Sequence, residues 1–108
     1  LVAAELPLAN MGITTINMSP GTRSNADYTE EGAANFVSSS DIVKSILTAE
    51  EQHPDGLGGF LLLMHVGAGP GRTDKLHTRL DGLLETLSRK GYRFIRVDDL
   101  LGSAPGRP

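Results

Sequence analysis

Gly59-Phe60-Leu61-Leu62-Leu63-Met64-His65 runs into Val66-Gly67-Ala68-Gly69-Pro70-Gly71-Arg72 and then into Thr73-Asp74-Lys75-Leu76. Residues 60–64 are wholly apolar, the pattern of a strand covered on both faces, which belongs to a parallel sheet flanked by helices. His65 stands where the apolar run stops, at the expected carboxyl end of that strand. In α/β sheets and β/α barrels that edge is where ligands bind. The glycine-rich loop follows, and Thr73 or Asp74 then caps a helix whose stripe is Leu76, Leu80, Leu83, Leu84 and Leu87. Arg89 and Lys90 suit the negative end of that helix, and Gly91 is a C′ residue.

Outward from this stretch, the order of elements repeats the same theme. Gly12-Ile13-Thr14-Thr15-Ile16-Asn17-Met18 is β-branched and predicts a strand, stopped by Ser19-Pro20-Gly21. Residues 22–35 are polar, small and aperiodic, a long loop of the kind that often carries function. Ser38-Ser39-Ser40-Asp41 offers several N-caps for a helix carrying Ile42, Val43, Ile46 and Leu47, ending before Pro54. Residues 92–97 predict a further strand, and Asp98 or Asp99 begins a short last helix. Residues 1–10 read as a helix broken by Pro7 or as the end of a longer one. The expected architecture is α/β, with about three parallel strands, flanking helices and right-handed crossovers. Three strands are few for a parallel sheet covered on both faces, so the pattern points to part of a larger domain. Residues 1–101 form the domain portion and 102–108 a flexible tail.

Composition bounds the function. The chain has 108 residues, 39% hydrophobic and 21% charged, with a net charge of -3 and no cysteine. That length suits one small core. The mild acidity gives no footprint for nucleic acid. No apolar run approaches the roughly 20 residues of a membrane span. Without cysteine there are neither disulfides nor thiolate metal sites.

The segments 59–76 and 83–100, with Ser19-Pro20-Gly21-Thr22-Arg23-Ser24-Asn25-Ala26-Asp27-Tyr28 upstream, resemble the C-terminal part of polysaccharide deacetylases, the NodB-type domains of carbohydrate esterase family 4. The resemblance covers residues 11–101. Its Asp27-Tyr28 pair departs from the family, which more often has Asp-Trp there. The resemblance implies a partial (β/α) barrel and a bacterial, secreted or periplasmic, metal-dependent parent. That parent would remove N-acetyl or O-acetyl groups from a poly- or oligosaccharide, a hydrolase of carbon–nitrogen bonds other than peptide bonds. The family's paired aspartates, His-x-x-x-His ligands and Arg-x-Pro-Tyr motif are not in this sequence. The divalent metal, zinc or similar, would therefore be held outside this chain, which alone would be inactive. By the same resemblance His65 is the general acid, Asp27 its carboxylate partner, Leu63 part of the acetyl pocket and Tyr28 part of the wall. A carboxylate at the ring orients it and favours the imidazolium.

Each residue has a plainer reading. His65 could cap a strand end by hydrogen bonding, Asp27 could be an Asx-turn residue, and Leu63 is core in either case. His53 and His77 read as exposed. Carboxylate pairs such as Asp98 and Asp99 are explained by helix capping. The glycine-rich loop lacks the Gly-Lys-Ser/Thr ending of a phosphate loop and contains Pro70. Arg72 suits an anionic sugar or a carboxylate cap, and sequence leaves both open. Two functions follow: a deacetylase fragment, or a non-catalytic carbohydrate-binding or scaffold domain on the same frame. The partner besides the carbohydrate is the missing N-terminal half of the domain, or a second copy through the open sheet edge.

Overall fold

The computed structural model describes residues 5–102. The helix α1 spans Glu5–Asn10, with Pro7 in its first turn, where a missing N–H costs nothing. A 3-10 turn follows at Ser24–Ala26 within the long polar loop.

The main helix, α2, spans Ser39–Gln52. It begins where the serine cluster predicts, with Ser38 Oγ accepting the Asp41 N–H at 3.1 Å. A second orphan amide of its first turn, Ser39 N–H, is taken by Asp74 Oδ2 at 2.8 Å from a distant loop. Ile42, Ile46 and Ala49 recur at helical spacing and are buried. The chain leaves the helix at His53, just before Pro54.

Helix α3 spans Leu80–Arg89 and starts later than expected, after a 3-10 turn at Leu76–Arg79. Thr73 and Asp74 do not cap it, because both are engaged elsewhere: their amides bind Glu31 and the Asp74 carboxylate binds Ser39. Its C-terminus follows the sequence closely. Gly91 takes φ +100°, and Tyr92 N–H returns to Leu87 O at 3.1 Å while Gly91 N–H meets Ser88 O at 3.0 Å. Helix α4 spans Val97–Leu101. Val37, Ile42, Ile46, Ala49, Leu57, Leu76, Leu83 and Leu87 form the core, with the Leu76–Arg79 turn packed against both α2 and α3. The expected tail lies, but for its first residue, Gly102, outside the described residues.

The sheet is not there. Among the described residues none is assigned to a β-strand, which overturns the expected partial barrel with three parallel strands. The segments 13–18, 60–65 and 92–96 are neither helical nor paired in a ladder. Ser19, just past the first segment, is bonded to the second, with Ser19 N–H donating to Leu61 O at 3.0 Å and Leu61 N–H to Ser19 Oγ at 2.9 Å. The physical reason is that an apolar or β-branched run specifies burial, whereas a strand exists only through neighbours that supply its ladder bonds. Burial is only partial without the ladder: Phe60, Leu62 and Met64 pack against the core on one side. Ile16, Leu63, Phe94 and Ile95 are 49%, 45%, 55% and 55% exposed. They line an apolar groove of about 590 Å³ that is floored by Leu83 and Leu87 of α3.

Candidate functional site

Asp27 and His65, far apart in sequence, meet. His65 Nδ1 lies 2.6 Å from Asp27 Oδ1, and the His65 backbone N–H donates to Asp27 Oδ2 at 2.7 Å. The carboxylate is thus held by both ends of one residue. An acceptor at Oδ1 requires that Nδ1 carry the ring proton, which leaves Nε2 as the working nitrogen. Burial is divided in the same sense: the Asp27 side chain is 1% exposed and that of His65 41%. Nε2 has no hydrogen-bond partner among the described residues. Tyr28 stands beside the ring, centroids 5.4 Å apart and planes tilted by 55°.

Two loops carry this pair, and polar bonds lace them together. Arg72 lies fully buried between them. Its Nε donates to Asp74 O at 2.7 Å, Nη1 to Thr29 O at 3.0 Å, and Nη2 to Val37 O at 2.8 Å. Arg72 therefore takes neither of the roles open to it in sequence, since it meets carbonyls rather than a carboxylate and is closed to solvent. Glu31 Oε1 accepts Thr73 Oγ1–H at 2.6 Å and the Thr73 and Asp74 amides at 2.7 Å each. The Thr73 hydroxyl, then the Asp74 amide, lower the Glu31 carboxyl to about 2. The Ser39 amide similarly holds the Asp74 carboxyl below its ordinary value, and the Arg72 charge adds to this. Lys75 Nζ donates to Ala68 O at 2.5 Å and Gly69 O at 2.8 Å. The glycine-rich loop thus offers carbonyls to a cation, the reverse of the N–H cradle that binds phosphate.

No family model, curated protein or solved structure matches this chain. Its site is therefore read from its own geometry. Of the four residues singled out in sequence, three come together: His65, Asp27 and Tyr28. Leu63 does not join them and is not core. It lines the apolar groove, whose walls include none of the other three. His77 is exposed as expected, and His53, also exposed, sets its ring edge-on to Phe60 at 5.2 Å. No group of three metal-ligating side chains converges among the described residues. The contribution that sequence reasoning missed is that of Arg72 and Glu31. The signal was faint: an arginine closing a glycine-rich loop, and two adjacent glutamates in a polar one.

Proposed function

We propose that this chain supplies the proton-donating half of a metal-dependent carbohydrate deacetylase, and that the observation carrying this reading is the buried Asp27 carboxylate held on Nδ1 of an accessible His65. An imidazole so oriented is a general acid with one open face. When the acyl carbon of an acetylated amino sugar has become tetrahedral, the sugar nitrogen must gain a proton before the C–N bond breaks. The imidazolium delivers it from Nε2. The neutral ring left behind already carries its remaining proton on Nδ1, bonded to Asp27, so nothing has to rotate. Tyr28 flanks the ring where a sugar would approach. An O-acetyl substrate would ask the same of His65, with an alkoxide leaving in place of the amine.

The remaining chemistry, base and divalent metal included, belongs to residues outside this chain, in line with the N-terminal motifs of the deacetylases it resembles. The exposed apolar groove supports that division. Its lining keeps Ile16, Leu63, Phe94 and Ile95 about half exposed, and we assign their cover to the N-terminal half of the same domain. By the same resemblance the parent is a bacterial, exported protein. The test is acetate release from N-acetylated and O-acetylated oligosaccharides by the natural polypeptide containing this chain, supplied with a divalent metal. His65→Ala should lower release by about 10²-fold or more. Unchanged release would remove His65 from catalysis, and sugar binding without any release would favour a binding module.

A further inference from the structure

We propose that Arg72 is the positioning residue that sets Asp27 against His65. The proposal rests on the reading that this pair moves a proton, although its structural part can be measured separately. Arg72 is 0% exposed. Each of its five N–H donors has an acceptor, since Nη1 also reaches Ala26 O at 3.4 Å and Nη2 reaches Ser39 Oγ at 3.4 Å. The guanidinium carbon lies 4.9 Å from the centroid of the Phe36 ring.

What matters is where those acceptors lie. Ala26 and Thr29 bracket Asp27-Tyr28, and Val37 lies where the long loop enters α2. One planar fork therefore fixes the backbone on both sides of the catalytic carboxylate and at the end of its loop. Arg72 itself belongs to the loop that begins at His65, so the fork ties the acid's partner to the acid's own segment. A lysine is a point charge with three donors on one atom and cannot span the same carbonyls. Of the residues that accept from the fork only Val37 belongs to the buried core, and it does so through its carbonyl; Ile42, Ile46, Leu83 and Leu87 supply no acceptor. Loss of the fork should free the Asp27 loop while the helices stay folded.

The experiment uses the ¹⁵N-labelled chain and Arg72→Lys. The tautomer of the His65 ring is read from long-range ¹H–¹⁵N correlations, and the His65 and Ile46 amides are followed by hydrogen exchange. In the wild type the neutral ring should be a single Nδ1–H tautomer. In Arg72→Lys it should become a mixture, with His65 amide exchange faster by about tenfold or more and Ile46 changed by less than about twofold. A variant that keeps both the Nδ1–H tautomer and the His65 exchange rate overturns the proposal. Should Arg72→Lys also lose Ile46 protection, the wild type decides. The Arg72 Nε–H and the His65 amide should then share one urea dependence of exchange, shallower than that of Ile46. An Arg72 Nε–H that opens only with Ile46, while His65 opens separately, overturns the proposal too. If Arg72→Lys frees the ring but neither it nor His65→Ala alters acetate release by the natural polypeptide, the positioning role stands and the deacetylase reading falls.

Discussion

Replacing Asp27 separates what its carboxylate does for the fold from what it does for His65. The carboxylate is almost fully buried and accepts two bonds, from His65 N–H at 2.7 Å and from Nδ1 at 2.6 Å. Bonds to a charged acceptor contribute about 1.5–3 kcal/mol each. The ring is partly exposed and can rehydrate, so its bond belongs at or below the low end of that range. Asp27→Ala should therefore cost about 2–4 kcal/mol, a large share of the roughly 5–15 kcal/mol expected of a small domain. The thermal midpoint should fall by roughly 10–20 °C. Asp27→Asn is subtler. Its oxygen can still accept the His65 amide, so the stability loss should be only about 1 kcal/mol. Its NH₂ group would then face Nδ1, which must become an acceptor, and the ring proton moves to Nε2. Urea denaturation measures the first effect and ring ¹⁵N shifts the second. The reasoning fails if Asp27→Ala unfolds at the wild-type urea concentration, or if Asp27→Asn keeps its proton on Nδ1.

Other consequences are simpler to state. Glu31 sits at about 2 against an ordinary 4.5, and Asp74 is also held low. Carboxyls lowered in this way contribute stability that is complete above their unfolded values and is lost as pH falls through the folded ones. Urea midpoints should therefore drop from pH about 4.5 toward about 2, and Glu31→Gln should flatten that slope. Tyr92 Oη accepts Leu57 N–H at 2.8 Å and donates to Glu50 Oε1 at 3.2 Å, so Tyr92→Phe should cost about 1–2 kcal/mol by urea denaturation. Gly56→Ala should cost more: φ is +60°, and a Cβ there would clash with the Tyr92 hydroxyl oxygen. Phe94→Glu alters an exposed groove residue and should change stability by less than about 0.5 kcal/mol. If the groove is covered by the N-terminal half proposed above, the same change should weaken capture of that polypeptide by about tenfold or more in a pull-down titration.

How much of this was legible depended on whether the cause was local. The cap at Ser38, the stop before Pro54 and the Gly91 turn are decided by a few adjacent residues, and each appears where the sequence puts it. The start of α3 is not local. Thr73 and Asp74 look like caps, yet Glu31 and Ser39 compete for the same groups from other parts of the chain, and three bonds to one carboxylate oxygen prevail over a cap. The sheet failed for a related reason. Leucines at 61–63 state that they avoid water but say nothing about which backbone would pair with them.

The site sits between these two cases. That an imidazole at 65 meets a carboxylate at 27 is implied by the resemblance, yet no pattern in either loop dictates their separation. It is set by contacts that sequence periodicity does not encode, because a buried arginine bonding carbonyls leaves no partner residue type to look for. A carboxylate partner would have stood out as an opposite charge, whereas Ala26, Thr29 and Val37 contribute only backbone oxygens. The chemistry of the pair and the means of holding it therefore place different demands on the sequence. The pair needs one histidine and one aspartate. The frame needs only an arginine with enough well-placed carbonyls around it, and substitutions at 26, 29 or 37 that preserve backbone conformation should leave the tautomer of His65 untouched.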